Sequence, residues 1–351
     1  MDYERFKEGF QDALKAELAV RGADVELTAR RVDKMNDSYD AITVRPMESS
    51  VGVNISVEKA FAAYENGTPI LEIAEHFADA VEKGFRESPQ VDLESLSDYE
   101  QMKSKLSMEV VSAEKNAELL ESVPHERMED MAVVYRFVLD QTDSGNGTIL
   151  VTNQLLDQYG ISKEQLRADA MENAPEIRPS EIRGMSEVMS ELAPGMIPEV
   201  APEDEQMFVA TVPDKIHGAG VIAYPNFMED AAEKMGGDFF VLPSSIHEVL
   251  LVKDNGQMTA KELENMVKEV NATQVEPADQ LTDHVYHYDS QNHIFELADK
   301  YEERQREAEH EAVDKDSVLG DLKEKKQEIA KKDPAKDAAT KAATKKHETS
   351  L

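Results

Sequence analysis

Ser244, Ser245, His247 and Glu248 stand almost side by side, with Asp214 and His217 in an earlier loop. A serine nucleophile, a histidine base and a carboxylate that orients the base are the parts of acyl transfer. The stretch has no Gly-x-Ser-x-Gly elbow to present the nucleophile. His247-Glu248 opens like the zinc motif His-Glu-x-x-His, but Leu251 stands where the second ligand belongs. His284, His287 and His293 form another set of metal-ligand type. In an extended chain residues three apart face opposite sides, so His284 and His287 diverge, and a tight hairpin sets Tyr288 across from His293. Gly218-Ala219-Gly220 lacks the third glycine of a dinucleotide fingerprint, no phosphate loop occurs, and the Asp-rich stretch 157–169 lacks the order of a calcium loop. No cofactor or metal is expected. The catalytic candidates are Ser244, Ser245, His247 and Glu248; the binding candidates are Asp214, His217 and Tyr224. Met128, Met131, Met185, Met189 and Met196 read either as an adaptable partner surface or as core gap filler in a chain without Trp or Cys.

The elements that must hold these residues follow from periodicity. Phe6, Phe10, Leu14 and Leu18 recur at helical spacing before Gly22. Val25, Leu27 and Ala29, then Ile42 with Val44, then Val51, Val53, Ile55 and Val57 alternate as three antiparallel strands with one buried face. Thr68-Pro69 starts a helix whose stripe is Ile70, Ile73, Ala74, Phe77, Val81 and Phe85. A second segment carries a helix near 99–106, strands at 108–111 and 131–139, a turn at 143–147 and a capped helix from Ser162. Prolines crowd 175–202, which predicts an irregular linker broken by a short helix at 186–192. A third segment has strands at 207–212, 218–223, 239–242 and 249–252, a helix at 227–235, a capping box at Thr259/Glu262 and a last hairpin, 285–288 with 294–297. If 207–212 and 218–223 pair as a hairpin, Asp214 and His217 sit at one sheet edge and Ser244 and His247 at the opposite edge. A parallel crossover would bring both loops to the same edge; the hairpin is the expectation.

The chain has 351 residues, 72 acidic and 38 basic side chains and no cysteine, for a net charge of −34. Disulfide frameworks and Cys-ligated metals are excluded. The length allows a self-sufficient core. With no apolar leader and no spanning run, a soluble cytoplasmic protein is expected. The charge repels phosphate, so binding of nucleic acid by the folded body is not expected. A Lys/Ala-rich stretch without large apolar residues closes the chain and is expected to be disordered.

Ile149-Leu150-Val151-Thr152-Asn153, Tyr159-Gly160-Ile161-Ser162, Gly218-Ala219-Gly220 with Tyr224-Pro225, and above all Leu242-Pro243-Ser244-Ser245-Ile246-His247-Glu248-Val249 carry a resemblance. Over residues 1–297 the chain resembles a family known only as a domain of unknown function, found in Gram-positive gut bacteria and their mobile elements. The resemblance implies no activity or site residue. The expected architecture is α+β, with mixed, mainly antiparallel sheets flanked by helices. Its parts are a helix/meander/helix module at 1–88, a second α+β segment at 89–174, a Pro-rich linker at 175–206, a C-terminal α+β module at 207–297, and a charged helix with flexible tail at 298–351. The leading functional expectation is a non-catalytic binding or protein-interaction protein with a protein partner. The alternative is a hydrolase using Ser244 or Ser245 with His247, and the lesser one an acidic nucleic-acid mimic.

Overall fold

The computed structural model describes residues 1–34, 36–49, 52–87, 93–142, 145–195, 200, 201, 203–308, 310, 323 and 325. The Lys/Ala-rich tail, Val51, Met196 and the start of the 143–147 turn lie outside these. Residues 1–295 form one compact unit and Glu296–Leu351 another. In the second, residues 298–308 are helical, the described start of the expected charged helix.

The chain is α+β, with three sheets that are mainly antiparallel. The first part holds α1 (Tyr3–Val20), β1 (Val25–Lys34), β2 (Asp37–Pro46), β3 (Val53–Ser56), α2 (Val57–Glu65) and α3 (Ile70–Glu87), with strand order β1-β2-β3. Asp2 caps α1 by accepting from the Arg5 amide, and Phe6, Phe10, Leu14 and Leu18 are all buried. They pack with Ile42, Val44 and Ile55 of the sheet and with Ile73 and Val81 of α3. The third strand is shorter than its alternation suggests. Ser56 accepts from the Lys59 amide, so Val57 opens a helix instead.

The second part holds α4 (Leu93–Leu96), α5 (Tyr99–Met102), β4 (Leu106–Ser112), α6 (Ala117–Ser122), β5 (His125–Met128), β6 (Met131–Thr142), β7 (Gly145–Leu150), α7 (Asn153–Tyr159) and α8 (Lys163–Ile177). Long β6 is its spine: β4 pairs along one side, and β5 and then β7 along the other. Every residue of β4 is buried.

The third part holds β8 (Glu181–Gly184), α9 (Met185–Leu192), β9 (Met207–Thr211), α10 (Phe227–Met235), β10 (Phe239–Leu242), β11 (Val249–Lys253), α11 (Ala260–Thr273), β12 (Tyr286–Asp289) and β13 (Ile294–Leu297). The order is β13-β12-β10-β11-β9-β8. The Pro-rich stretch therefore contributes a strand as well as its short helix. One expected strand is absent: Gly218–Ala223 is a 3₁₀ helix. Without that hairpin, β9 pairs antiparallel with β11, Ala210 opposite Val249. The loop leaving β9 and the loop entering β11 thus lie at the same end of the sheet. Among the described residues no helix is long and apolar enough to cross a membrane.

Burial holds many phenols neutral. Tyr224 is pushed up to about 12, chiefly by burial. Tyr288 reaches about 12 through burial and then Glu229. Tyr99, Tyr135 and Tyr286 are raised further, burial again leading. A phenol whose folded value is raised contributes stability that is full below the ordinary value of 10.0 and is lost as pH rises through the folded value. Phenolate absorbance should therefore rise late, with much of it in step with unfolding. Complete ionisation near the ordinary value with the fold intact would contradict this packing.

Candidate functional site

Hydrogen bonds join the two loops that the expected hairpin places at opposite edges. The His217 amide donates to His247 Nδ1 at 3.2 Å, and the two rings stand edge to face with centroids 5.6 Å apart. Thr211 Oγ1 donates to the His247 carbonyl at 2.8 Å, and the Ala219 amide to the Ile246 carbonyl at 3.1 Å. A third segment closes the crossing. The Ile246 amide bonds the Asp279 carbonyl at 2.8 Å, the Leu281 amide the Ser244 carbonyl at 3.1 Å, and the Thr282 amide the Pro243 carbonyl at 3.3 Å. The Pro-Ser-Ser-Ile-His stretch is thus a latch over the strand ends. It reaches the first part too, since Asn36 donates to the carbonyls of Ala278 and Gln280 and bonds Asn116.

Ser245 and His247 are bonded into this latch. Ser245 Oγ accepts from the His247 amide at 3.0 Å, a local turn bond of the kind serine commonly makes. Because His247 Nδ1 accepts a main-chain N–H, its proton sits on Nε2, which faces Asp279 Oδ1 at 3.5 Å. Both ring nitrogens have partners, and neither serine hydroxyl is one of them. Glu248 points to solvent.

The binding candidates come together beneath the latch. His217 Nδ1 lies 3.2 Å from Glu109 Oε2, which Arg136 Nε holds at 3.0 Å. The Glu109 side chain is 3 % exposed. Burial alone would raise its carboxyl, but His217 and Arg136 outweigh this and hold it below the usual value. Arg178, buried at the end of α8, binds Asp214 Oδ1 at 2.7 Å and also donates to the Ile216 carbonyl. Asp214 Oδ1 accepts the Ile216 amide at 3.1 Å, which turns the loop. Tyr224 is buried in the same neighbourhood, its phenol raised chiefly by burial and further by Asp214 and Glu109, with Arg178 and Ser107 opposing. Lys215 and His217 both adopt positive φ, 55° and 54°.

Two glycines make the crossing close. A Cβ on Gly218 would stand 2.5 Å from the His247 carbonyl oxygen, and one on Gly220 2.3 Å from that of Met108 in β4. The Gly-Ala-Gly string is therefore a backbone contact, not a nucleotide turn.

Chemically, the Glu109–His217 pair orients an imidazole with Nδ1–H inward, and among the described residues no serine hydroxyl is bonded to it. Three residues of this network escaped the sequence reading: Glu109, Arg136 and Arg178. The signal for the first two was present, since each is a charge inside an otherwise apolar strand run, and such a charge must find a partner. The histidines of the metal-type set go to separate carboxylates: His287 to Asp254 at 3.0 Å, His293 to Glu229 at 3.4 Å and His284 to Glu264 at 3.8 Å. Tyr288 meets His293 at 3.2 Å. Of the five methionines singled out, Met131 is core and Met128 lines a cleft of about 370 Å³, while Met189 is exposed.

Fold and latch together define an α+β protein of three sheets locked by a short signature loop. Its chain belongs to the family of unknown function DUF5688, whose profile matches residues 3–290. No curated protein and no solved structure is significantly similar to it.

Proposed function

We propose that the protein is a non-catalytic, cytoplasmic binding protein that acts through a protein partner, and that its acidic body does not engage nucleic acid. The observation that carries this reading is the fate of the nucleophile and base. The Ser245 hydroxyl is occupied by the His247 amide, and both nitrogens of His247 are engaged by groups other than serine. Acyl transfer needs a serine within reach of the base, and the signature residues are instead committed to holding three segments together.

Incubation of the purified protein with a fluorophosphonate probe and a panel of activated esters tests the reading. The expected result is no covalent labelling and no turnover above buffer. Labelling at Ser244 or Ser245 that disappears when that same serine is replaced by alanine would establish the hydrolase alternative. In parallel, recovery of the tagged full chain from its host is expected to yield a stoichiometric protein partner.

A further inference from the structure

The cleft of about 370 Å³ lies within the first unit, among β4, β5, β6, α8 and the start of β13, and has the size of a small-molecule site. Its apolar wall is unusual in make-up. Met108 of β4, Met128 of β5 and Met171 of α8 bring three thioethers to one cavity, and Phe295 adds a ring. Met108 belongs to a strand with every residue buried, and Phe295 stacks on Tyr286 with centroids 5.1 Å apart and planes 11° from parallel. Thioethers and an aromatic face both pack well against an aromatic ring.

The polar wall is ordered too. Arg167 stands one helical turn before Met171, so the two share a face of α8. Arg167 Nε pairs with Glu126 Oε2 at 2.7 Å, and Glu126 Oε1 accepts the Tyr135 hydroxyl at 3.1 Å. Both oxygens of Glu126 are thereby engaged. Apart from Glu126, no described residue pairs with the Arg167 guanidinium, and a guanidinium held at Nε can still offer its terminal nitrogens to a carboxylate. Glu129 lies in the tight turn that joins β5 to β6 and lines the same cleft. Asp130, next to it, is taken up by the hydroxyls of Thr282 and Tyr286.

The sum of charges narrows the ligand. The lining holds Arg127 and Arg167 against Glu126 and Glu129, so this cleft is neutral within a chain of −34. A bare anion would face Glu129 and a bare cation would face Arg167. A molecule carrying both charges on one end and a ring on the other meets every wall.

The geometry points to a binding site for a free aromatic α-amino acid, with its carboxylate on Arg167, its ammonium at Glu129 and its ring against Met108, Met128, Met171 and Phe295. This goes beyond the partner-binding reading and does not rest on it.

Calorimetric titration of the full chain with L-phenylalanine, phenylpropionate, phenylethylamine and glycine tests the site. Saturable binding of L-phenylalanine is expected. Phenylpropionate lacks the ammonium and phenylethylamine the carboxylate, and each should bind at least about tenfold more weakly, the equivalent of ~1.4 kcal/mol. Glycine, without a ring, should not bind. Two variants then divide the ends of the ligand. Arg167→Lys keeps a positive charge beside Glu126 but loses the planar fork, and should weaken L-phenylalanine and phenylpropionate while sparing phenylethylamine. Glu129→Gln should weaken L-phenylalanine and phenylethylamine while sparing phenylpropionate. The spared compound in each case reports an intact cleft. Absence of saturable L-phenylalanine binding, equal binding of glycine or of either analogue, or variants that weaken both analogues alike or neither would overturn the site.

Discussion

Gly220→Ala is expected to destabilise the protein by roughly 3 kcal/mol, the upper end of what overpacking a closed contact costs. The added Cβ would stand 2.3 Å from the Met108 carbonyl oxygen and 3.2 Å from both the Met108 carbonyl carbon and the Glu109 Cα. All three are main-chain atoms of a fully buried strand, so no side chain can swing aside. Relief requires the 3₁₀ turn to move off β4, and His217 would then move away from Glu109. Gly218→Ala should act in the same direction, with its nearest atoms Thr211 Oγ1 and the His247 carbonyl oxygen at 2.1 and 2.5 Å. Gly9→Ala is the control of opposite sign. That glycine lies inside α1, and its Cβ would meet Ile70 Cδ1 at an ordinary 3.8 Å, so the exchange should gain about 0.5 to 1 kcal/mol from helix propensity. Urea midpoints of the three variants decide the matter. A Gly220→Ala protein as stable as wild type would mean that the turn does not press on β4 as described.

The same glycines mark where reading the sequence stopped short. Period and capping are local, and the elements they govern were legible: the α1 stripe from Phe6 to Leu18, the capping box in which Thr259 and Glu262 bond reciprocally, and the β10 and β11 strands. The stretch Gly218–Ala223 offers four apolar side chains and two glycines, which suit a short buried strand as well as a turn pressed against a neighbour. The deciding contact, Gly220 on Met108, joins residues more than a hundred positions apart. Local pattern holds no information about it. One mistaken strand then carried the larger error, because a hairpin there sends Asp214/His217 and Ser244/His247 to opposite edges. The candidate residues were recognisable by type, but their grouping was a matter of topology, and the groups that tie them together, Glu109, Arg136 and Arg178, come from other strands and helices. What could have been read is that Glu109 and Arg136 interrupt apolar runs and demand opposite charges nearby.

Glu109 therefore provides the second large effect. Glu109→Ala leaves the Arg136 guanidinium, whose side chain is 15 % exposed, without its carboxylate and removes the acceptor of His217 Nδ1–H. Removing one member of a buried ion pair costs about 3 to 5 kcal/mol, because the charge left behind remains desolvated. Arg136 keeps a hydrogen bond to Thr148 Oγ1 at 3.2 Å, which offsets part of that cost. The pH dependence separates the pair from simple loss of volume. The Glu109 carboxyl is held below its ordinary value of 4.5, so its contribution is fully present above that pH and is lost as pH falls through the folded value. Wild type should lose stability on acidification more steeply than Glu109→Gln, which preserves shape but does not titrate. Double-mutant cycles with Arg136→Met should return a coupling well above the ~0.5 kcal/mol expected of independent sites. If instead Glu109→Gln matches wild type in both urea midpoint and acid slope, the carboxylate is not the charge that joins β4 to the His217 turn, and the latch must be held by its main-chain bonds alone.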